Sequence, residues 1–256
     1  MTNGELMTNQ PPEYDLSYRD RFWPARDYED ACDRLALHAL LPLAGVALLD
    51  VGAGFGRLVD EYAAFERVTL ADASPQMLEA ARERVGGDPR IAVVAADATE
   101  LPFPDATFDA VVAVRLLVHL RDPEPLFREV RRVLRPGGTF IVEFANRRHL
   151  LAIGRYLARR QAWSPMGSSS HEYRDAHFAH QPATVRAQLS AAGLTPDATR
   201  AVSLFRSGWL KSHLPSRLLA RIEAPLQGPL GPLAPGPSVY VRAVRGADRK
   251  STATAR

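Results

Sequence analysis

The chain has 256 residues, 46% of them hydrophobic, and a formal net charge of +3; that suits one well-buried α/β domain with insertions and is short for two. No apolar run approaches the roughly 20 residues that span a bilayer, and residues 1–14 lack the apolar core of a secretory signal. A single cysteine, Cys32, excludes an internal disulfide and a cysteine-based metal site, so a cytoplasmic protein is expected.

Residues 1–13 are polar and proline-containing and read as disordered. Residues 14–45 read as a cap or a lid. Within them Tyr14, Tyr18, Phe22 and Trp23 stand among aspartates and arginines and must pack on something. A helix is expected over 28–41 with Leu35, Ala36, Ala39 and Leu40 inward, stopped by Pro42. The first strand is 46–51. The second is 68–71, followed by Asp72. Ser74 and Pro75 then start a helix as N-cap and first helical residue, with Met77, Leu78, Ala81 and Val85 inward and Gly86-Gly87 at its end. Strands are expected over 91–95, 108–114 and 139–144. A helix begins at Asp122-Pro123 and is broken by Pro136-Gly137-Gly138.

Beyond Phe144 the pattern loosens. Residues 146–163 read as a basic amphipathic helix, 164–180 as a loop, 182–192 as a helix, 198–204 as a strand and 216–223 as a helix. The proline- and glycine-rich run 225–237 reads as a semi-rigid loop, and 239–244 as the last strand. The tail from 246 reads as frayed. All but two of the 32 basic residues are arginine, and they are mostly interspersed with acids, as on solvated helix faces. Strands alternating with helices at these spacings give a parallel sheet. The core would be 46–144, and 145–245 would carry substrate-side insertions.

The stretch that organises the chain is Leu48-Leu49-Asp50-Val51-Gly52-Ala53-Gly54-Phe55-Gly56-Arg57. It reads as strand, glycine loop and helix, the first turn of a nucleotide-binding unit. Arg57 stands where a dinucleotide fingerprint needs its last glycine, and Asp50 would repel a pyrophosphate. A ligand with a cationic end suits the loop better. Asp50, Asp72 and Asp97 stand at or near the ends of three successive strands, where an open α/β sheet binds ligands, so they are expected to converge on one crevice.

These motifs carry a resemblance. Asp50 through Gly56, Asp72-Ala73-Ser74-Pro75-Gln76-Met77, Ala96-Asp97-Ala98, Leu117 through Pro123 and Val133 through Gly138 resemble class I S-adenosylmethionine-dependent methyltransferases, nearest the small-molecule branch with quinone-biosynthesis enzymes. The resemblance covers about 46–144. It implies a Rossmann-like seven-stranded, mostly parallel sheet with helices on both faces and an antiparallel last strand, with cap insertions after strand five and between strands six and seven. It implies S-adenosylmethionine as cofactor. Asp50 would face its ammonium, with the amides of Gly52, Ala53, Gly54 and Gly56 near its methionine part. Asp72 and Ala73 would lie at the ribose, Met77 against the adenine, Asp97 and Ala98 at the adenine edge, and Arg115 beside the methionine part and the acceptor.

The reaction expected is methyl transfer to an oxygen, nitrogen or carbon of a small, aromatic or lipophilic molecule. Candidate catalytic residues are His119, His171, Tyr173 and His177, with His180 and Tyr14 further behind. His177 and His180 lie near Glu172 and Asp175, but no metal-binding spacing is present and no metal is expected. No Asn-Pro-Pro-Tyr-like motif follows the fourth strand, which argues against an exocyclic base amine as acceptor. RNA methylation through the arginine-rich 147–160 helix and a non-catalytic cofactor-binding role remain alternatives. Contact of that helix with a membrane surface or a second copy is open, as is the oligomeric state.

Overall fold

A computed structural model describes residues 18–174 and 176–247. Tyr14, Asp175, the run 1–13 and the tail from 248 lie outside the described residues. Among those described, the chain forms α1 (Asp27–Leu40), β1 (Gly45–Val51), β2 (Phe65–Asp72), α2 (Pro75–Val85), β3 (Ile91–Ala95), β4 (Phe108–Ala113), α3 (Glu124–Val133), β5 (Leu134–Ala145) and α4 (Leu150–Leu157). There follow β6 (His171–Arg174), β7 (His177–Ala179), α5 (Pro182–Ala191), β8 (Leu194–Val202), α6 (Gly208–His213), α7 (Ser216–Gln227) and β9 (Ser238–Arg245).

Seven strands make one sheet in the order β3-β2-β1-β4-β5-β9-β8. β1 through β5 pair in parallel, and β9 runs antiparallel to both β5 and β8. The Rossmann-like sheet with an antiparallel last strand is therefore present. Its central strands are mostly apolar because both faces are covered, with Asp50, Asp109 and Glu143 as the acidic interruptions. Leu48, Leu70, Ala110, Val112 and Ile141 pack toward Leu37 and Leu40 of α1 and Leu219 of α7. Leu49, Val111, Phe140, Val142 and Val241 pack toward Phe127 and Val130 of α3 and Leu189 of α5. Asp109 joins β4 to the start of β1 by accepting from the Val46 and Ala47 amides, each at 2.9 Å.

Local chemistry sets the ends of α2. Ser74 Oγ accepts from the Met77 amide at 3.3 Å, Pro75 opens the first turn, and Gly86 closes the helix in the left-handed region at φ +59°.

The structure corrects several expectations. The inward stripe of α1 is Tyr28, Cys32, Ala36, Leu37 and Leu40; Leu35 and Ala39 are exposed. Pro136-Gly137-Gly138 does not precede β5 but forms its irregular first part, with a register shift against β4. The 146–163 helix shrinks to α4. Its first residues are drawn into tertiary bonds instead: Asn146 Nδ2 donates to the Ala234 and Gly236 carbonyls, and the Arg147 amide donates to His180. The same bonds turn part of the expected 164–180 loop into the β6–β7 hairpin, because His180 must return to Ala145, whose carbonyl takes its amide at 2.7 Å. β8 starts earlier than expected, at Leu194, and α7 runs through Pro225 to Gln227.

Candidate active site

A cleft of about 570 Å³ opens at the carboxyl ends of β1, β2, β3 and β4. Asp50, Asp72 and Asp97 all line it, as do Gly52, Ala53, Gly54, Ala73, Met77, Ala98 and Arg115. Of the residues the resemblance assigned to the cofactor, Gly56 stands apart. It lies behind the loop, where a Cβ would come within 3.2 Å of Leu70, so its role is close packing of the loop on β2.

The glycine loop differs from its expected use. The Gly52 and Ala53 amides both donate to the Ala71 carbonyl, Gly54 donates to Asp72 Oδ2 at 2.8 Å, and Gly56 donates to Ala53. These amides hold the loop rather than facing a ligand. What the loop offers is room. Gly54 sits at φ +56°, and a Cβ there would meet no atom within 4 Å.

Each acid has a distinct setting. Asp50 is buried on β1, and Tyr62 Oη donates to it at 2.7 Å. Burial pushes its carboxyl up to about 7, with the Tyr62 hydrogen bond and Arg57 opposing and Asp72 adding to the rise. Asp72 is raised by burial as well, and the Ser74, Gly54 and Ala73 amides oppose that shift. Its Oδ2 accepts from the Gly54 amide and its Oδ1 from the Ser74 amide, and a carboxylate has further lone pairs for a ligand hydroxyl. Asp97 is exposed and holds its own turn, with Oδ1 accepting from the Thr99 amide and hydroxyl at 2.7 Å each.

Several cleft residues take parts that the sequence did not assign to them. Trp23 is buried against Phe55, Met77 and Ala80 and forms one wall. The Arg57 guanidinium stacks on the Trp23 ring at 3.7 Å from its centroid and binds Asp30 and Asp33, the latter at 3.1 Å. Arg115, held at φ +63°, bonds Asp33 at 3.2 Å, and its amide donates to Glu143 at 2.9 Å. Asp33 and Glu143 are fully or almost fully buried. Asp33 fixes both guanidinium groups and Glu143 the Arg115 backbone, and Arg57 acts on Asp50, so the cleft lining carries both a carboxyl and a pair of cations. A faint signal existed for each acid: Asp33 interrupts the inward stripe of α1, and Glu143 interrupts an apolar strand.

The histidine candidates separate. His119 lies on the cleft wall, and the His177 ring meets it edge-on at 5.0 Å. The Tyr173 ring lies 6.3 Å from His177. Burial, with a smaller contribution from His177, lowers the His119 ring to about 4, so it is neutral at physiological pH. His171 is not part of this group: it stacks on Trp163 at 4.2 Å. His180 is buried, and its Nε2 lies 2.9 Å from the Leu117 carbonyl, a bond that ties β7 to the 117–119 turn. Among the described residues no group of three or more His, Cys, Asp or Glu side chains could hold a metal ion.

Comparison with known proteins gives the family. Residues 49–142 match the methyltransferase-domain family. A 27-O-demethylrifamycin SV methyltransferase from Amycolatopsis mediterranei is 35% identical over 216 residues, 77% of this chain and 74% of that one. The chain belongs to the class I S-adenosylmethionine-dependent methyltransferases. A demethylmenaquinone methyltransferase from Clavibacter sepedonicus is 43% identical over 110 residues, but the match spans only 42% of this chain and 45% of that relative. A methyltransferase of known structure from Thermotoga maritima shares the fold at a TM-score of 0.65 with 20% identity, covering 90% of this chain and 95% of that one. The cofactor of this methyltransferase is S-adenosylmethionine. Among its described residues, no helix is long and apolar enough to cross a membrane.

Proposed function

We propose that this methyltransferase acts on an acidic hydroxyl, phenolic, enolic or hydroquinone-like, of a small apolar molecule. The observation that carries the reading is His119: buried, neutral, on the wall of the cofactor cleft and backed by His177.

The cleft fits the cofactor. Asp50 suits its ammonium, Arg115 and Arg57 its carboxylate, Asp72 its ribose hydroxyls, and Met77 with Ala98 its adenine. Ala73 and Gly52 through Gly54 would line its path. When bound, S-adenosylmethionine supplies a methyl group on a positively charged sulfur. The remaining work falls to the chain's own groups. Trp23, Phe55 and Leu116 exclude water, and His119 accepts the hydroxyl proton as the acceptor oxygen attacks carbon. His177 is a positioning residue that holds the His119 ring. A weakly basic ring favours an acidic hydroxyl over an alkyl alcohol, because proton transfer needs a matched donor.

The continuous basic helix that RNA methylation would use is not formed. α4 is short, and Arg147 is buried, with its guanidinium bonded to the Ser164 carbonyl at 2.6 Å. A panel of phenols, hydroquinones and alkyl alcohols incubated with protein and S-adenosylmethionine, read by mass spectrometry, tests the reading. It expects one added methyl on phenolic or hydroquinone oxygen. Methylation confined to nitrogen or carbon acceptors would overturn it.

A further inference from the structure

We propose that α4 and its flanks form a docking surface for an anionic lipid bilayer. Between Glu143 and Glu172 the sequence holds no acidic residue. It does hold Arg148, Arg155, Arg159 and Arg160, and the last three are exposed. The apolar side chains of α4 are exposed too: Leu150 at 63%, Leu151 at 67% and Leu157 at 75%, with Tyr156 beside them. Ala152 is the one buried residue of the helix. Eight residues are too few for a helix stable on its own in water, and this one packs only Ala152 and part of Ile153 against the protein while its leucines stay exposed.

The patch continues onto a neighbouring turn. The Leu150 amide donates to the Pro235 carbonyl at 3.0 Å and Arg148 Nη2 to the Leu233 carbonyl at 3.3 Å. Leu233 next to them is 66% exposed. The basic field reaches further still: the run 198–222 holds no acid, and Arg155 and Arg206 both act on His149 at the start of α4.

Charge decides the occupant. A second copy meeting the patch face to face would set arginines against arginines. A bilayer with anionic headgroups accepts both features at once: the arginines pair with the headgroups while the leucines and Tyr156 enter the acyl boundary. The surface lies outside the cofactor cleft, so it stands whether or not the acceptor assignment holds.

Full-length protein is mixed with phosphatidylcholine vesicles with and without phosphatidylglycerol, and the bound fraction is read by co-sedimentation. Binding to the phosphatidylglycerol vesicles is expected, weakening as salt rises, with little binding to phosphatidylcholine alone. The exposed pair Arg155→Gln and Arg159→Gln is expected to weaken binding roughly twenty-five-fold, at about fivefold per arginine. The pair Leu151→Ser and Leu157→Ser is expected to weaken it at least about tenfold. Both variants should keep the wild-type affinity for S-adenosylmethionine. No binding to phosphatidylglycerol vesicles at low salt overturns the proposal, as does unchanged binding by the arginine variant. A dimer in sedimentation velocity that the leucine variant dissolves, with no vesicle binding by the wild type, also overturns it in favour of a second copy.

Discussion

Asp50 is held in a setting that opposes its charge. Burial raises its carboxyl from 3.8 to about 7, and the single hydrogen bond from Tyr62 does not offset this. Between those two values the folded chain keeps a proton that the unfolded chain releases. The stability this group contributes is therefore complete below about pH 4 and is lost as pH rises through about 7. Asp50→Asn removes the charging cost, so near pH 8 the ligand-free variant is expected to unfold about 1–3 kcal/mol higher than wild type in urea titrations. In the proposed reading the same change removes the partner of the cofactor's ammonium. Affinity for S-adenosylmethionine is expected to weaken in wild type as pH falls below 7, by up to about tenfold per unit, and to be low and pH-independent in the variant. Equal wild-type affinity near pH 6 and pH 8 would sink this assignment. His119 gives a second prediction at the same scale. His119→Asn should lower kcat by about 10²–10⁴ while the cofactor Kd shifts less than about threefold. A loss seen in cofactor binding instead would make His119 a binding residue.

At the scale of elements, α1 and α7 are joined by a buried carboxylate. Glu223 accepts from the Ser203 and Leu204 amides at 2.8 and 2.7 Å, from Gln227 at 3.1 Å and from Tyr28, whose hydroxyl in turn accepts from Phe205. It thereby fixes the turn after β8, where Ser203 sits at φ +62°. Glu223→Ala leaves these donors buried without a partner and is expected to cost about 3 kcal/mol in denaturant unfolding. Glu223→Gln should cost less, because one acceptor oxygen survives. A loss under about 1 kcal/mol for the alanine variant would show that water or rearrangement replaces the carboxylate. This network was not legible beforehand, since nothing local marks Glu223 as internal. The central parallel strands were legible because strands covered on both faces run apolar except for single acids such as Asp50 and Asp109. Ser74-Pro75 and Gly86 marked the ends of α2 through bonds made within the helix itself. α4 and the β6–β7 hairpin were misread because their limits are set by distant partners, Asn146 on the 234–236 turn and His180 on Ala145. No 3.6- or 2-residue period records those bonds.

At the scale of the molecule, the cleft gathers side chains from five separate stretches: Trp23, the glycine loop, the end of β2, the turn after β3 and the 114–120 turn after β4. The acids among them were readable because a strand end is a fixed place in this topology. Trp23 was readable only as one of an aromatic cap or lid, and Asp33 and Glu143 were not singled out, because their part in the cleft depends on how α1 and β5 pack beneath it. Asp33 holds Arg57 and Arg115 in the cleft that Asp50 lines, so in the proposed reading a zwitterion would find both of its partners at one end and a nucleoside would find Asp72 and Met77 at the other. Calorimetric titration of the protein with S-adenosylmethionine, run beside Asp72→Ala of matched thermal stability and beside NADH, tests this most directly. One saturable site is expected, weakened about tenfold or more in the variant through loss of the ribose bonds, with no heat from NADH. No binding of S-adenosylmethionine, equal affinity in the variant, or binding of NADH instead would contradict it.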